Sequence, residues 1–492
     1  MSGTDFIILG VYVGLVFSVG LLCARGNQTL KDYFLGSRNI PWWAAACSGL
    51  GAIVSGIAYL GAPGLAFSSD YSYHIMRLGV PLALVVICVV MLPIFFRLNI
   101  CSIYEYLERR YDRRVRLCAG ALFVLSKCGY LSIVIYAPSL VIAQAMGLSL
   151  TAVVLATGGI TMAYTMLGGI KAVIWTDTLQ VSVLLSGIVG TIVVVLNRVP
   201  GGIFQVIQTA EEAGRLHLIN WSFSLTETYT VWGGLIGGTF LLISQFGANQ
   251  DEIQRFLATK SVRQANLAMT SSMLVSIAVG ICLFFIGTTL FGFYSAYPEK
   301  GGLTVDPNRI FAKFILEEMP SGMRGLLIAA VLSASMSTIS VILNSLVTVV
   351  TRDFVPIWRK QAASVYGARW LTLMFGTSVS VLACFGSQFG NILEASAHII
   401  SLFSGSITGV FLLGMLCKRA NAIGAFWGML AGMLAALVVN FCTPVSFLWL
   451  SPVSACVTIV VGYLISLGSP QSQVARSEEL TINVSCVRSH TL

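Results

Sequence analysis

Charge is scarce in this chain of 492 residues: Asp, Glu, Lys and Arg together make up only 10% of it. A soluble surface is typically about 25–35% charged, so no large water-facing shell is encoded. Histidine occurs four times, dispersed, and the 12 cysteines stand singly. Most of those cysteines fall inside apolar runs, as do Cys47, Cys88, Cys128, Cys282 and Cys384. With no C-x-x-C spacing, neither a zinc site nor a disulfide framework is expected, and the cysteines read as small packing residues. A nucleophile–base set is also missing, so the chain is not expected to be an enzyme.

What the chain does have is apolar length. Hydrophobic residues make up 56% of it, and about thirteen runs are long enough to cross roughly 30 Å of hydrocarbon. They lie near 5–24, 42–64, 73–96, 117–146, 150–167, 172–197, 227–246, 265–295, 322–350, 366–386, 390–416, 422–442 and 446–467. The expected fold is therefore an all-α membrane protein, one polytopic domain over 1–467 with a tail over 468–492. The first run follows Asp5 rather than a basic region and has no small-residue cleavage pattern, so it reads as a span and not a removed signal.

Basic clusters follow odd-numbered runs: Lys31 and Arg38; Arg109, Arg110, Arg113, Arg114 and Arg116; Arg255, Lys260 and Arg263; Arg359, Lys360 and Arg369; Lys418 and Arg419. Cytoplasmic loops carry such an excess, which places the N-terminus outside and the C-terminus in the cytoplasm of a multi-pass cell-membrane protein. The net charge of +9 is then an excess of Lys and Arg in the cytoplasmic loops that join spans of the lipid bilayer, not a nucleic-acid surface.

Three features stand out inside the runs. Asp177 lies a few residues into the sixth run, where a carboxylate costs about 2.5–3.5 kcal/mol even on a lenient insertion scale. It either meets a cation or proton within the bilayer, or snorkels and pairs with Lys171. The second run carries Gly49, Gly51 and Gly56 with Ser48 and Ser55 at its midpoint. That density permits an unwound stretch lining a cavity, or alternatively a small-residue helix contact. In the ninth run, Ser333, Ser337, Ser340 and Asn344 share one helical face, with Thr338 beside Ser337. Hydroxyls and carbonyls at this density suit Na⁺, although serines also join helices. A broken helix, a hydroxyl-lined helix and an intramembrane Asp together fit an inverted-repeat secondary transporter.

Several long segments carry a family resemblance: DYFLGSRNIPWWA (32–44), SIYEYLERRYDRRVR (102–116), YAPSLVIAQ (136–144), GGIKAVIWTDTLQ (168–180), NQDEIQRF (249–256) and LGMLCKRAN (413–421). With these in order, the chain resembles the sodium/solute symporter family over about 5–467. The likeness is strongest to the bacterial sialic-acid carriers and the iodide/monocarboxylate/multivitamin branch.

The resemblance implies a leucine-transporter-type 5+5 inverted repeat with an extra N-terminal helix at 5–24. Repeat one then spans 42–197, repeat two 227–416, and the C-terminal helices 422–467. It implies a Na⁺ site built from the carbonyls of Gly51, Val54 and Ala334 and the hydroxyls of Ser337 and Thr338. A second cation site would use Asp177 and Ser340 beside Ser337, but the family's last ligand position holds Val341, which cannot coordinate.

The implied substrate pocket comprises Ile53, Ser55, Ala58, Tyr73, Arg77 and Tyr130. The sialic-acid carriers' carboxylate-binding arginine is replaced by Tyr130, while Arg77 stands where they have glutamine. Arg77 either supplies the lost cation from another wall, or snorkels and pairs with Asp70. The expected activity is Na⁺-coupled import of a small organic solute, a carboxylate or acidic sugar, by alternating access. A neutral sugar or polyol carrier is the alternative, and a nutrient sensor on the same fold a more distant one.

Overall fold

The computed structural model describes residues 1–24, 29–358, 364–386 and 392–468. Residues 469–492 of the expected tail, together with Arg359 and Lys360, lie outside the described residues. Within those described the secondary structure is helical. The single β-type contact is an isolated bridge between Ile40 and Thr259.

The elements follow from the apolar runs and from the residues that punctuate them. Helix α1 is Gly3–Ala24. The second run forms two helices, α2 (Trp42–Ile53) and α3 (Gly56–Ser68), bent by 57° across the break. Helix α4 spans Tyr71–Leu98, and its first nine residues, Tyr71–Gly79, wind as a 3₁₀ helix. Helix α5 (Arg113–Met146) starts where the Asp112 carboxylate accepts the Val115 amide and ends at Gly147, whose φ of 66° is left-handed. These are the expected start and stop of a helix.

Helix α6 (Leu150–Arg198) joins two expected runs without a loop. It kinks at Gly169, at φ 56° and ψ −152°. A Cβ there would lie 2.5 Å from the Tyr33 carbonyl, so the backbone conformation and the close approach both require glycine. Then come α7 (Gly233–Gly247), the short α8 (Gln250–Leu257), α9 (Val262–Ala296) and α10 (Met323–Phe354). Four more complete the bundle: α11 (Val365–Cys384), α12 (Ile392–Leu416), α13 (Ala422–Cys442) and α14 (Phe447–Leu467).

Eight of the described helices are long and apolar enough to cross a membrane, or nine with the bent pair α2–α3. Their burial sorts them. The apolar window of α10 is 94% buried, whereas that of α1 is only 22% buried. Helix α10 is thus the axis of the bundle, packed against α6, α5 and α1, and α1 turns most of its surface outward. That is why the serines of α10 face other helices rather than lipid.

Candidate functional site

The geometry of the site starts at the break in the second run. Val54 (φ −93°, ψ 67°) and Ser55 (φ −65°, ψ 163°) leave the helical region, and the Ser55 hydroxyl caps α3 by accepting the Ala58 amide at 3.3 Å. The break brings the carbonyl-rich end of α2 and the amide-rich end of α3 to one place. The first carries partial negative charge and the second partial positive charge, so the two ends suit a cation and an anion respectively.

Helix α10 meets the carbonyl end. Ser337 Oγ donates to the Gly51 carbonyl at 3.0 Å and lies 3.3 Å from the Ala334 carbonyl, while Thr338 Oγ1 donates to the same Ala334 carbonyl at 3.1 Å. Four oxygens from a broken helix and a buried one therefore converge. A Cβ on Gly51 would stand 3.2 Å from Val181 Cγ2 and 3.5 Å from Ser337 Cβ, so Val181 crowds any larger residue at position 51. Four of the five sequence-derived Na⁺ ligands are joined in this way, and Val54 sits at the turn itself, buried.

Asp177 lies on the same side. It is fully buried and does not pair with Lys171: its Oδ2 accepts from Ser48 Oγ at 2.5 Å. Arg255 of α8 donates to both the carbonyl and the hydroxyl of Ser48 and lies 3.4 Å from Glu252. Lys127 pairs with Asp251 at 2.6 Å. Of these five buried ionisable groups three are carboxylates and two are cations, one carboxylate more than the cations can pair. Asp177 Oδ1 likewise accepts no hydrogen bond.

Ser340 donates to the Ser337 carbonyl at 3.0 Å, and Val341 is buried beside Thr338 in the wall of a cavity also lined by Tyr130, Asp251, Glu252 and Arg255. That cavity runs from Thr338 of α10 to the ionic cluster of α8.

On the other side of the break the surplus charge is positive. Arg77 forms no ion pair among the described residues. It donates to Ser276 Oγ at 3.2 Å, while Asp70 instead accepts the Ser72 amide. Tyr73 stacks on Phe284 with centroids 5.5 Å apart and packs edge-on against Tyr229. The Tyr130 hydroxyl lies beside Ser55, and Lys127 sits 5.6 Å from the Tyr130 ring. Of the six residues expected to line a substrate pocket, Tyr130, Ser55 and Ala58 therefore meet at the break, Ile53 ends α2 there, and Tyr73 and Arg77 face α9.

Reading the sequence singled out neither Ser48 as a bridge nor Lys127 as a counter-charge. The segment NQDEIQRF did carry a signal: every residue of α8 is buried, and mixed charges in a buried helix require partners elsewhere. His74 and Ser276 had no such marker.

The comparisons with known proteins bear on the family and the fold. Residues 33–432 match the model of the sodium:solute symporter family. The sodium/sialic acid symporter NanT of Aliivibrio fischeri is 32% identical over 466 residues, covering 94% of this chain and 92% of that protein. Human sodium-coupled monocarboxylate transporter 1 is 31% identical over 447 residues, covering 89% and 73%. Among solved structures, a Na⁺-coupled sialic acid symporter in a substrate-bound outward-open state superposes with a TM-score of 0.89 at 29% identity, covering 96% of this chain and 99% of that one. The chain belongs to the sodium:solute symporter family.

Proposed function

We propose that this symporter couples Na⁺ to the import of a small organic anion, a carboxylate or acidic sugar, by alternating access. One observation carries the reading: the membrane interior holds a cluster short of one positive charge beside the oxygens of α10, and a guanidinium without a carboxylate facing α9. Uncompensated charge inside a bilayer is costly. A cation and an anion arriving together relieve both, and the two ends of the broken helix favour the same pair.

Na⁺ is held by the carbonyls of Gly51, Val54 and Ala334 and the hydroxyls of Ser337 and Thr338. Asp177, with its unshared oxygen and with Ser340 nearby, takes a second cation. Ile53, Ser55, Ala58, Tyr73, Arg77 and Tyr130 line the path of the substrate. The fold is a 5+5 inverted repeat of about thirteen transmembrane helices. The N-terminal helix and repeats are bounded as the sequence places them, with the N-terminus outside and the C-terminus in the cytoplasm. The family relatives that carry sialic acid and monocarboxylates support an anionic cargo.

Replacing both Ser337 and Thr338 with alanine removes two of the ligands while leaving the backbone of α10 in place. Na⁺-dependent uptake by that double variant in proteoliposomes is expected to fall to background. Uptake equal to the unmodified protein rules the Na⁺ assignment out.

A further inference from the structure

The first turns of α4 carry a pairing that the α-helical periodicity of the sequence hides. In a 3₁₀ helix, side chains three apart eclipse one another, so Tyr71, His74 and Arg77 form one ridge. That ridge runs antiparallel along α9. Tyr71 Oη lies 2.9 Å from Thr288 Oγ1, the His74 ring centroid 4.4 Å from that of Phe284, and Arg77 Nη1 3.2 Å from Ser276 Oγ. Between the last two contacts stands Gly280. A Cβ built there would lie 3.3 Å from His74 Cε1, 3.9 Å from His74 Nδ1 and 3.7 Å from Arg77 Nη2. Imidazole and guanidinium therefore both pack against the backbone of Gly280, an approach that a side chain at position 280 would crowd.

The height of this contact follows from packing register. Gly49 of α2 abuts Ser272, and Pro63 of α3 abuts Gly287. Ser276 and Gly280 fall between those contacts, level with the break at Val54–Ser55. Both ring nitrogens of His74 are shut off from solvent and have no hydrogen-bond partner. Buried polar atoms are paired in the great majority of cases, and leaving one unpaired costs about 1–3 kcal/mol. An imidazole without partners, beside an arginine without a carboxylate, is the complement of a ligand that brings an anionic group and a second polar atom.

We propose that His74 is a specificity-determining residue, and that His74 and Arg77 together recognise an organic acid bearing an oxygen on the carbon next to its carboxylate. Arg77 takes the carboxylate, and His74 hydrogen-bonds the adjacent hydroxyl or carbonyl oxygen. Neutral imidazole serves either partner, since one nitrogen donates and the other accepts. This deepens the anion reading and rests on it.

The test uses paired probes that differ only in that oxygen: lactate against propionate, and 2-hydroxybutyrate against butyrate. Inhibition of Na⁺-driven uptake is measured for the unmodified protein and for His74→Phe, His74→Gln and Arg77→Gln in proteoliposomes. The oxygenated member of a pair is expected to bind about tenfold more tightly in the unmodified protein. His74→Phe brings it down to its deoxy counterpart without weakening the latter, and His74→Gln, which keeps donor and acceptor, retains most of the preference. Arg77→Gln weakens both members.

A preference unaltered by His74→Phe, or equal weakening of both members, overturns the role of His74 while leaving the anion reading intact. Unaltered binding of both members in Arg77→Gln overturns the pairing of Arg77 with the carboxylate, and with it the joint recognition by His74 and Arg77. Absence of competition by every probe in the unmodified protein overturns both.

Discussion

Arg77 and Asp177 are single residues whose surroundings leave their charge unspent. For Arg77 the expected consequence is selective. A hydrogen bond to a charged group contributes about 1.5–3 kcal/mol, so Arg77→Gln is expected to raise the half-saturating concentration of an anionic substrate about tenfold or more. A neutral analogue should be affected little. Competition assays with one anionic and one neutral sugar measure this, and equal losses for both make Arg77 a packing residue.

Asp177 contributes through its free oxygen. Asp177→Asn preserves the shape and the bond from Ser48 while removing the charge, and is expected to lower the Hill coefficient for Na⁺ from about 2 to about 1. The two-cation expectation rests on the proposed second site. An unchanged coefficient removes Asp177 from the ion sites.

Several elements were legible in the chain and several were not. The second run breaks where Gly49, Gly51, Ser55 and Gly56 cluster, because small residues weaken a helix locally whatever its neighbours. The hydroxyl face of α10 was legible for a similar reason: a four-three-four spacing fixes one face before any packing is known. Pairings across the fold were not legible. Lys127 and Asp251 are 124 positions apart, and nothing local in either segment names the other. The 3₁₀ winding of Tyr71–Gly79 was hidden too, since an apolar run reads alike in either helix type, and with it went the link between His74 and Arg77.

A further tie between elements appears only in the structure. The Asp5 carboxylate of α1 accepts the amides of Gly322 and Gly325, at 2.7 and 3.0 Å, at the N-terminus of α10. There it satisfies orphan donors and complements the helix dipole. Asp5→Ala is expected to cost about 1 kcal/mol and to lower the thermal midpoint in detergent by about one degree, with substrate affinity preserved. A midpoint equal to that of the unmodified protein shows that α1 is held by apolar packing alone.

Taken whole, the molecule has to turn ion gradients into solute accumulation, and its charge arrangement limits how. A potential of 100 mV contributes about 2.3 kcal/mol per charge moved, and a tenfold Na⁺ gradient about 1.4 kcal/mol. One Na⁺ with a monovalent anion moves no net charge and sustains only about tenfold accumulation. A second cation, at the site proposed for Asp177, makes the cycle electrogenic and adds both contributions.

The most direct measurement is uptake of labelled sialate and short monocarboxylates into proteoliposomes under an imposed Na⁺ gradient, with and without an inside-negative potential. Accumulation of an organic anion that requires the Na⁺ gradient and rises with the potential is the expected result. Uptake indifferent to Na⁺ would contradict the account.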